Sequence, residues 1–353
     1  MQNQIRVSFK ALYVWVEQCL QLAGASNEIA ATMADSLIAG DLLGFRTHGV
    51  RRLPYNVKQL ATGKARGNGE PMVLKERAAV AHWDANHLPG LYVMPKAVAA
   101  AIKMAQECGT GTLVVRRMEH VASLAAYLEQ ATAAGLIINI MVSTPAQASV
   151  APFGATSRVF SPNPFALGVP TSSIPLLLDM SLSVTAAGKV RQAYDNDELL
   201  PWPALVTANG ESSTNPATYF TEPKSALLPL GGLDLGYKGY GLCLMSEIWT
   251  MALANYGRVQ GAGDGECNSA FIQVIDPDAF GELSEFLKVT DDLLARCRHA
   301  TPINPAEPVR IPGESAAALK AAQLAEGITI DSLTWSKLMS CGERLGITPP
   351  QQL

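Results

Sequence analysis

The apolar residues of this chain change rhythm along its length, and that change limits the fold more than any single motif. Phe9, Leu12, Trp15, Val16, Cys19, Leu20 and Leu22 repeat at a period near 3.6, which predicts a helix over 8–24. Ser26 offers an N-cap to a second helix reaching about Gly40, with Glu28 in its first turn, where the helix dipole favours negative charge. Ile29 stands where a capping box would need Glu or Gln. A third helix is expected over 50–60, ended by Gly63. From there strand and helix patterns alternate: strands over 79–83, 111–116, 136–142, 176–180 and 270–275, helices over 94–107, 121–134, 239–256 and 278–298. Residues 161–170 read as loop, and the tail closes with helices over 316–326 and 332–345. Residues 190–225, rich in Asn, Pro and Ser, read as an irregular surface excursion. The alternation predicts an α/β core with helical ends.

No Gly-x-Gly-x-x-Gly follows an early strand and opens a helix, so a dinucleotide site of the Rossmann kind is not expected. The glycine-rich run 261–265 follows a long helix and reads as a loop.

At 353 residues the chain has material for about two domains. Apolar residues are 48% and charged residues 16%, a buried, globular composition with a lean charged surface that burial in an oligomer would suit. The net charge of −4 without any basic run argues against nucleic acid as a partner. The six cysteines are scattered and show no metal-ligand spacing, so free thiols in a reducing compartment and no metal are expected. Gln2, Asn3, Gln4 and Arg6 do not make a signal-peptide start, and the longest apolar stretch, 136–150, is broken by Pro145. A cytoplasmic protein without a membrane span is the default expectation.

Thr47, His48, Gly49, Val50, Arg51 and Arg52 form the run with the most chemistry. Imidazole is the side chain that most readily exchanges a proton near neutral pH, and guanidinium grips a carboxylate with two hydrogen bonds. Together they suit the interconversion of a 2-oxo acid and a 2-hydroxy acid. Asp179, Met180, Ser181 and Ser183 follow an apolar strand; they read either as a plain helix N-cap or as a phosphate-holding segment. Tyr237 and Lys238, set among Gly236, Gly239 and Gly241, read either as a Gly-rich turn or as an anion-binding corner. Pro312, Gly313 and Glu314 alone read as a turn.

Six segments in order (41–55, 116–120, 161–170, 178–189, 228–242 and 310–314) resemble the malate/L-lactate dehydrogenase family of the second type, which is unrelated to Rossmann lactate dehydrogenases. The resemblance spans nearly the whole chain. It implies a non-Rossmann α/β (α+β) fold: a mixed, largely antiparallel sheet flanked by helices binds NAD or NADP, NAD being favoured. Residues 1–75 and 312–353 would form a helical domain carrying His48 and Arg52, and 76–311 the cofactor-binding domain. Asp179, Met180, Ser181, Ser183, Tyr237, Lys238, Pro312, Gly313 and Glu314 match stretches that contact the cofactor in relatives. The resemblance also implies a homodimer.

Two histidines match acid/base positions of the family. His48, as imidazolium, is the favoured proton donor in reduction because Arg52 lies close to hold a carboxylate; His120 would line the pocket. His82, His87 and His299 match nothing and read as surface or structural. Several positions depart from the family pattern. Thr47 replaces Ser, and Glu119, Val121 and Ala122 replace the Asn, Phe and Gly that flank the second histidine. Ser161 and Pro162 replace Gly and Thr, Thr144 replaces Asn, and Tyr237 replaces His. The expected activity is hydride transfer between a nicotinamide cofactor and a small 2-oxo/2-hydroxy acid. The alternatives are a cyclic-imine carboxylate reductase and a non-catalytic homologue that binds a small acid.

Overall fold

The computed structural model describes residues 4–353; Gln2 and Asn3 lie outside the described residues. Strand β1 (Gln4–Val7) leads into α1 (Phe9–Leu22), α2 (Asn27–Leu42) and α3 (Leu53–Ala61). Ser8 and Ser26 cap α1 and α2, accepting from the N–H of Ala11 and Ile29. Strands β2 (Met72–Arg77) and β3 (Val80–Asp84) form a hairpin, and α4 (Gly90–Cys108) crosses over to β4 (Thr110–Met118), which runs parallel to β3. Pro95 lies inside α4 and cannot donate to the Leu91 carbonyl; Ser36 Oγ donates to that oxygen instead at 2.8 Å. Gly109 ends the helix at φ +79°.

The short helix α5 (Glu129–Thr132) precedes β5 (Ile137–Ser143), β6 (Phe165–Val169) and β7 (Leu176–Met180). After α6 (Ala187–Asp195), three two-residue strands, β8 (Leu205–Val206), β9 (Ser212–Ser213) and β10 (Ala226–Leu227), make a small separate sheet. The chain continues through α7 (Gly232–Leu235), α8 (Tyr237–Glu247), β11 (Asn268–Ile275), α9 (Leu283–Arg298), α10 (Glu314–Glu326), β12 (Ile328–Asp331) and α11 (Ser332–Leu345).

The main sheet has the order β2-β3-β4-β11-β5-β6-β7, and only the β3–β4 pair is parallel. It is therefore mixed and largely antiparallel, as expected. The strand β11 enters at its centre, where Ala270, Ile272 and Val274 are fully buried. Pairing of β1 with β12 and the Gln323 amide, which donates to the carbonyls of Asp41 and Leu42, tie the two ends of the chain together.

Four expectations differ from this fold. Residues 121–134 hold only a 3-10 turn (Leu124–Tyr127) and α5, because Ala122 is left-handed at φ +59° and the 123–125 backbone is drawn to Asp179. The stretch 161–170 contains β6. The four-residue strands β1 and β12, and the exposed strand β2, were not legible. Residues 190–225 are more than a surface excursion: Leu200, Ala204 and Leu205 close over Val150 and Phe160 as a second small core. Among the described residues, no helix is long and apolar enough to cross a membrane.

Candidate active site

Between α2 and α3 the chain makes two 3-10 turns, Arg46–His48 and Val50–Arg52. Asp41, buried at the end of α2, accepts from the Val50 N–H at 2.6 Å and so fixes the turn. Gly49 is required there for space, because a Cβ would lie 2.2 Å from the Asp41 carboxylate. Burial raises the Asp41 pKa to about 7, opposed by the Val50 N–H and Arg46. The turn sends its two arginines apart. Arg51 is near Asp331, whereas the Arg52 guanidinium stacks 4.3 Å from the Tyr55 ring centre.

The structure brings His48, Arg52 and His120 together. The imidazoles of His48 and His120 stack with centroids 5.8 Å apart, and Tyr55 meets His120 edge-on at 6.4 Å. Thr47 Oγ1 is 2.8 Å from His48 Nδ1, and His120 Nδ1 accepts from the Ala122 N–H at 3.0 Å. Neutral His120 therefore carries its proton on Nε2. Burial, and then the Arg52 charge, lower the His48 pKa to about 4. Burial, Arg52 and His48 together push His120 well below its ordinary value. In the free protein these shifts favour the neutral imidazole of His48 at neutral pH, whereas the expected imidazolium belongs to the reduction direction with substrate bound. The neutral ring stands ready to accept a proton. It can donate one only after protonation, which becomes easier once an anion offsets Arg52.

Arg52 is not idle. Its Nη2 donates to the carboxylate of Glu266, while its buried Nε has no partner. Glu266 ends the glycine-rich loop and was not singled out by sequence, because nothing local links position 266 to position 52.

The His120 loop is anchored from behind. The Val121 N–H donates to Asn268 Oδ1 at 3.0 Å, and Asn268 Nδ2 donates to Thr144 Oγ1 at 2.8 Å. The Thr144 N–H donates to Ser161 Oγ at 3.0 Å, and that hydroxyl donates to Asn163 Oδ1. Thr144 and Ser161, two departures from the family pattern, are thus partners of each other. Ala122 stores strain, since a left-handed alanine costs about 1 kcal/mol that glycine does not. Ala122→Gly is expected to raise unfolding free energy by about 0.5–1 kcal/mol in denaturant titration; an unchanged midpoint would remove the strain argument.

The expected cofactor segments gather around β7. Leu177 N–H donates to the Pro312 carbonyl at 3.0 Å, and Gly313 needs its missing Cβ, which would sit 2.7 Å from Pro175 O. Beyond β7, Ser183 pairs with Pro229, Leu230 N–H donates to Leu182 O, and Gly239 N–H donates to Leu230 O. The Lys238 corner therefore abuts the 181–183 segment, with Tyr237 and Lys238 exposed. No helix begins at 179–183. Ser183 Oγ donates to Thr185 O, Ser181 Oγ to Ser183 O, and Met180 packs on the second core. The buried Asp179 carboxylate accepts from Ala125 N–H and Ser123 Oγ, and burial raises its pKa. Glu314 accepts from Ile311 N–H and Arg298, holding its own turn.

A cleft of about 950 Å³ lies between the end of β7 and the 306–316 segment, lined by Leu43, Phe45, Ala125, Asp179, Arg310 and Gly313 among others; the 181–183 segment and the Lys238 corner do not line it. Leu43 and Phe45 lead straight into the His48 turn. No side chain caps the first turn of α10, whose Ser315 and Ala316 line the same cleft. A volume of this size and free N–H groups at a helix start fit a dinucleotide and its phosphates.

Sequence spacing also hid a trio from three segments. His87, Glu119 and Cys267 meet behind the His120 loop.

Residues 7–339 match the model of the malate/L-lactate dehydrogenase family. Hydroxycarboxylate dehydrogenase B of Escherichia coli (strain K12) is 27% identical over 353 residues, covering 98% of this chain and 96% of that protein. The malate dehydrogenase structure from Pyrococcus horikoshii OT3 superposes with a TM-score of 0.87 at 28% identity, over 99% of this chain and 98% of that one. Delta1-piperideine-2-carboxylate reductase from Pseudomonas syringae gives a TM-score of 0.83 at 26% identity, over 95% and 99%. With the sheet order, the His48 turn and these matches in agreement, the chain belongs to the malate/L-lactate dehydrogenase family.

Proposed function

We propose that this protein interconverts a small 2-hydroxy acid and its 2-oxo acid with a nicotinamide dinucleotide, at the site where His48, Arg52 and His120 converge. The observation that carries the reading is the stack of two imidazoles beside a guanidinium whose Nε has no partner. A bound nicotinamide supplies or accepts the hydride at the substrate's C2 carbon.

Arg52 holds the substrate carboxylate, displacing Glu266. That pair is partly exposed, so its replacement costs at most about 1 kcal/mol. In the oxidation direction His48 Nε2 takes the hydroxyl proton, with Thr47 Oγ1 accepting from Nδ1–H to hold the required tautomer. His120 walls the pocket. Burial makes each of these interactions stronger than in water. Leu177, Leu178, Pro312, Gly313 and the open first turn of α10 would hold the dinucleotide in the cleft. Asp179 and Glu314 would support its walls, while Ser181, Ser183, Tyr237 and Lys238 lie outside its lining and would reach only a part of the dinucleotide that extends beyond it. The helical lobe of 4–71 and 312–353 would thus present the proton-transfer group to the cofactor lobe, to whose sheet β2 (Met72–Arg77) belongs, so the expected boundary at 75 falls inside that strand.

A cyclic-imine carboxylate is a second substrate class with support of its own. Glu266 places a carboxylate next to the clamp, where a protonated imine nitrogen would need an anion. A homodimer is part of the same proposal: Leu235, Tyr237, Leu242, Leu244, Ile248 and Leu253 expose an apolar face along α7, α8 and the turn that follows.

The test offers NADH and NADPH separately, because Glu307 and Arg310 both face the cleft and act oppositely on a 2′-phosphate. Each is paired with pyruvate, oxaloacetate, 2-oxoglutarate, phenylpyruvate, a diketo sugar acid and a cyclic imine carboxylate. Loss of near-ultraviolet absorbance with any pair supports the proposal. Silence throughout, with no cofactor-induced rise in melting temperature, would favour a non-catalytic binding protein.

A further inference from the structure

We propose that His87, Glu119 and Cys267 form a binding site for one divalent transition-metal ion, zinc in particular. The three ligand atoms already stand as the base of a coordination tetrahedron. Cys267 Sγ is 3.1 Å from Glu119 Oε1 and 3.3 Å from His87 Nδ1, and His87 Nδ1 is 3.4 Å from Glu119 Oε1. The point equidistant from three such atoms lies about 1.9 Å from each, in their plane. Zinc bonds of about 2.0–2.3 Å to N, O and S place the ion just outside that plane, with the fourth position open.

The donor set selects the metal class. Thiolate and imidazole favour zinc and its neighbours over magnesium or calcium, which prefer oxygen alone. A thiolate and a carboxylate also match the two charges of the ion, so a loaded site adds no net charge to a largely buried position. Without metal, the same atoms form a compact hydrogen-bonded cluster in which the thiol donates to Glu119.

Each ligand is held by backbone that does not depend on the others. His87 is left-handed at φ +64°, with its N–H donating to Arg117 O at 2.7 Å and its carbonyl accepting from Arg66 N–H at 2.9 Å. The Glu119 N–H donates to Leu88 O, and the Cys267 N–H to Asp264 O. A non-glycine residue kept left-handed by such bonds is the kind of strain that collects at functional sites. Glu119 and Cys267 are buried, while the His87 side chain is 33% exposed and opens the path by which an ion and a water ligand would enter.

The place of the site gives it a consequence. Glu119 precedes His120, and Cys267 follows Glu266, the partner of Arg52. An ion there would tie the loop carrying one active-site histidine to the loop that engages the carboxylate clamp, without touching substrate.

The experiment uses the full chain, stripped with a chelator and then titrated with zinc against a chromophoric competitor, and separately with cobalt(II). One zinc per chain, a zinc-dependent rise in melting temperature and a sulfur-to-cobalt charge-transfer band are expected. Cys267→Ser keeps a hydroxyl that can donate to Glu119, so it should fold while losing the band and roughly 100-fold or more in zinc affinity. His87→Ala, at a partly exposed ring, should lose zinc affinity likewise, whereas Cys108→Ser, at an exposed thiol, should behave as wild type. No zinc bound by the stripped protein, or binding and cobalt spectra unchanged in Cys267→Ser and His87→Ala, would overturn the site.

Discussion

His48→Gln is expected to lower kcat by roughly 100-fold or more, the usual contribution of a positioned acid or base. The side chain is close in size, so the Asp41–Val50 bond and the 46–52 turn should survive, and a normal circular dichroism spectrum would show it. Thr47→Ser should keep activity and Thr47→Val should lose it, because only a hydroxyl can fix the imidazole tautomer through Nδ1. A near-normal rate for His48→Gln would transfer the role to His120.

The pH profile follows from the same residue. In the free protein His48 stays neutral until the pH falls to about 4, so kcat/KM for oxidation should remain level below neutrality where an ordinary histidine would already be protonated. Reduction needs the protonated ring, so it should weaken as pH rises, and its optimum should lie on the acid side of the oxidation optimum. Stability carries the same sign. Unfolded, His48 takes a proton near pH ~6.5; folded, it does so only at about 4. Between those values His48 binds more protons in the unfolded chain, so its own contribution to stability falls as pH falls, while the buried Asp41, raised to about 7, contributes with the opposite sign. His48→Gln should remove the His48 contribution from the melting-temperature profile.

Arg52→Gln is expected to reduce kcat/KM by 2–4 kcal/mol, about 30-fold to 1,000-fold, carried mostly by KM. The carboxylate is bound alike before and during hydride transfer, so its loss weakens capture more than turnover. Arg52→Lys should recover only part of the loss, because an ammonium cannot form the paired fork. Glu266→Gln should act the other way. Removing the internal competitor for Arg52 should lower KM for a simple 2-oxo acid a few-fold, in keeping with a pair worth up to about 1 kcal/mol. A KM unchanged in Arg52→Gln would show that the clamp lies elsewhere.

What the sequence made legible was local. The α1 periodicity, the Ser26 cap of α2 and the turn at His48 each depend on residues within a few positions of one another, and each stands in the structure as expected. The order of segments carried the family and, with it, the largely antiparallel sheet. Long-range pairings were not legible. Strands β1 and β12 have four residues each, and only their mutual register makes them strands. Strand β6 was masked by the prolines at both its ends. The 121–134 stretch looks helical because it is rich in alanine, yet Asp179 captures its backbone from 54 residues away. In the site, Glu266 reaches Arg52 across 214 positions and Cys267 reaches His87 across 180, distances at which spacing carries no signal. Asp179 was singled out by position, but its hydrogen bonds show a carboxylate occupied in holding a loop.

The most direct measurement follows the label from a reduced nicotinamide dideuterated at C4, with wild-type protein and the 2-oxo acid it reduces fastest. Mass spectrometry and proton NMR of the hydroxy acid then locate the deuterium. The account predicts one deuterium on C2, with the hydroxyl proton drawn from solvent through His48. A product carrying solvent hydrogen at C2, or no hydroxy acid from any substrate offered, would contradict it.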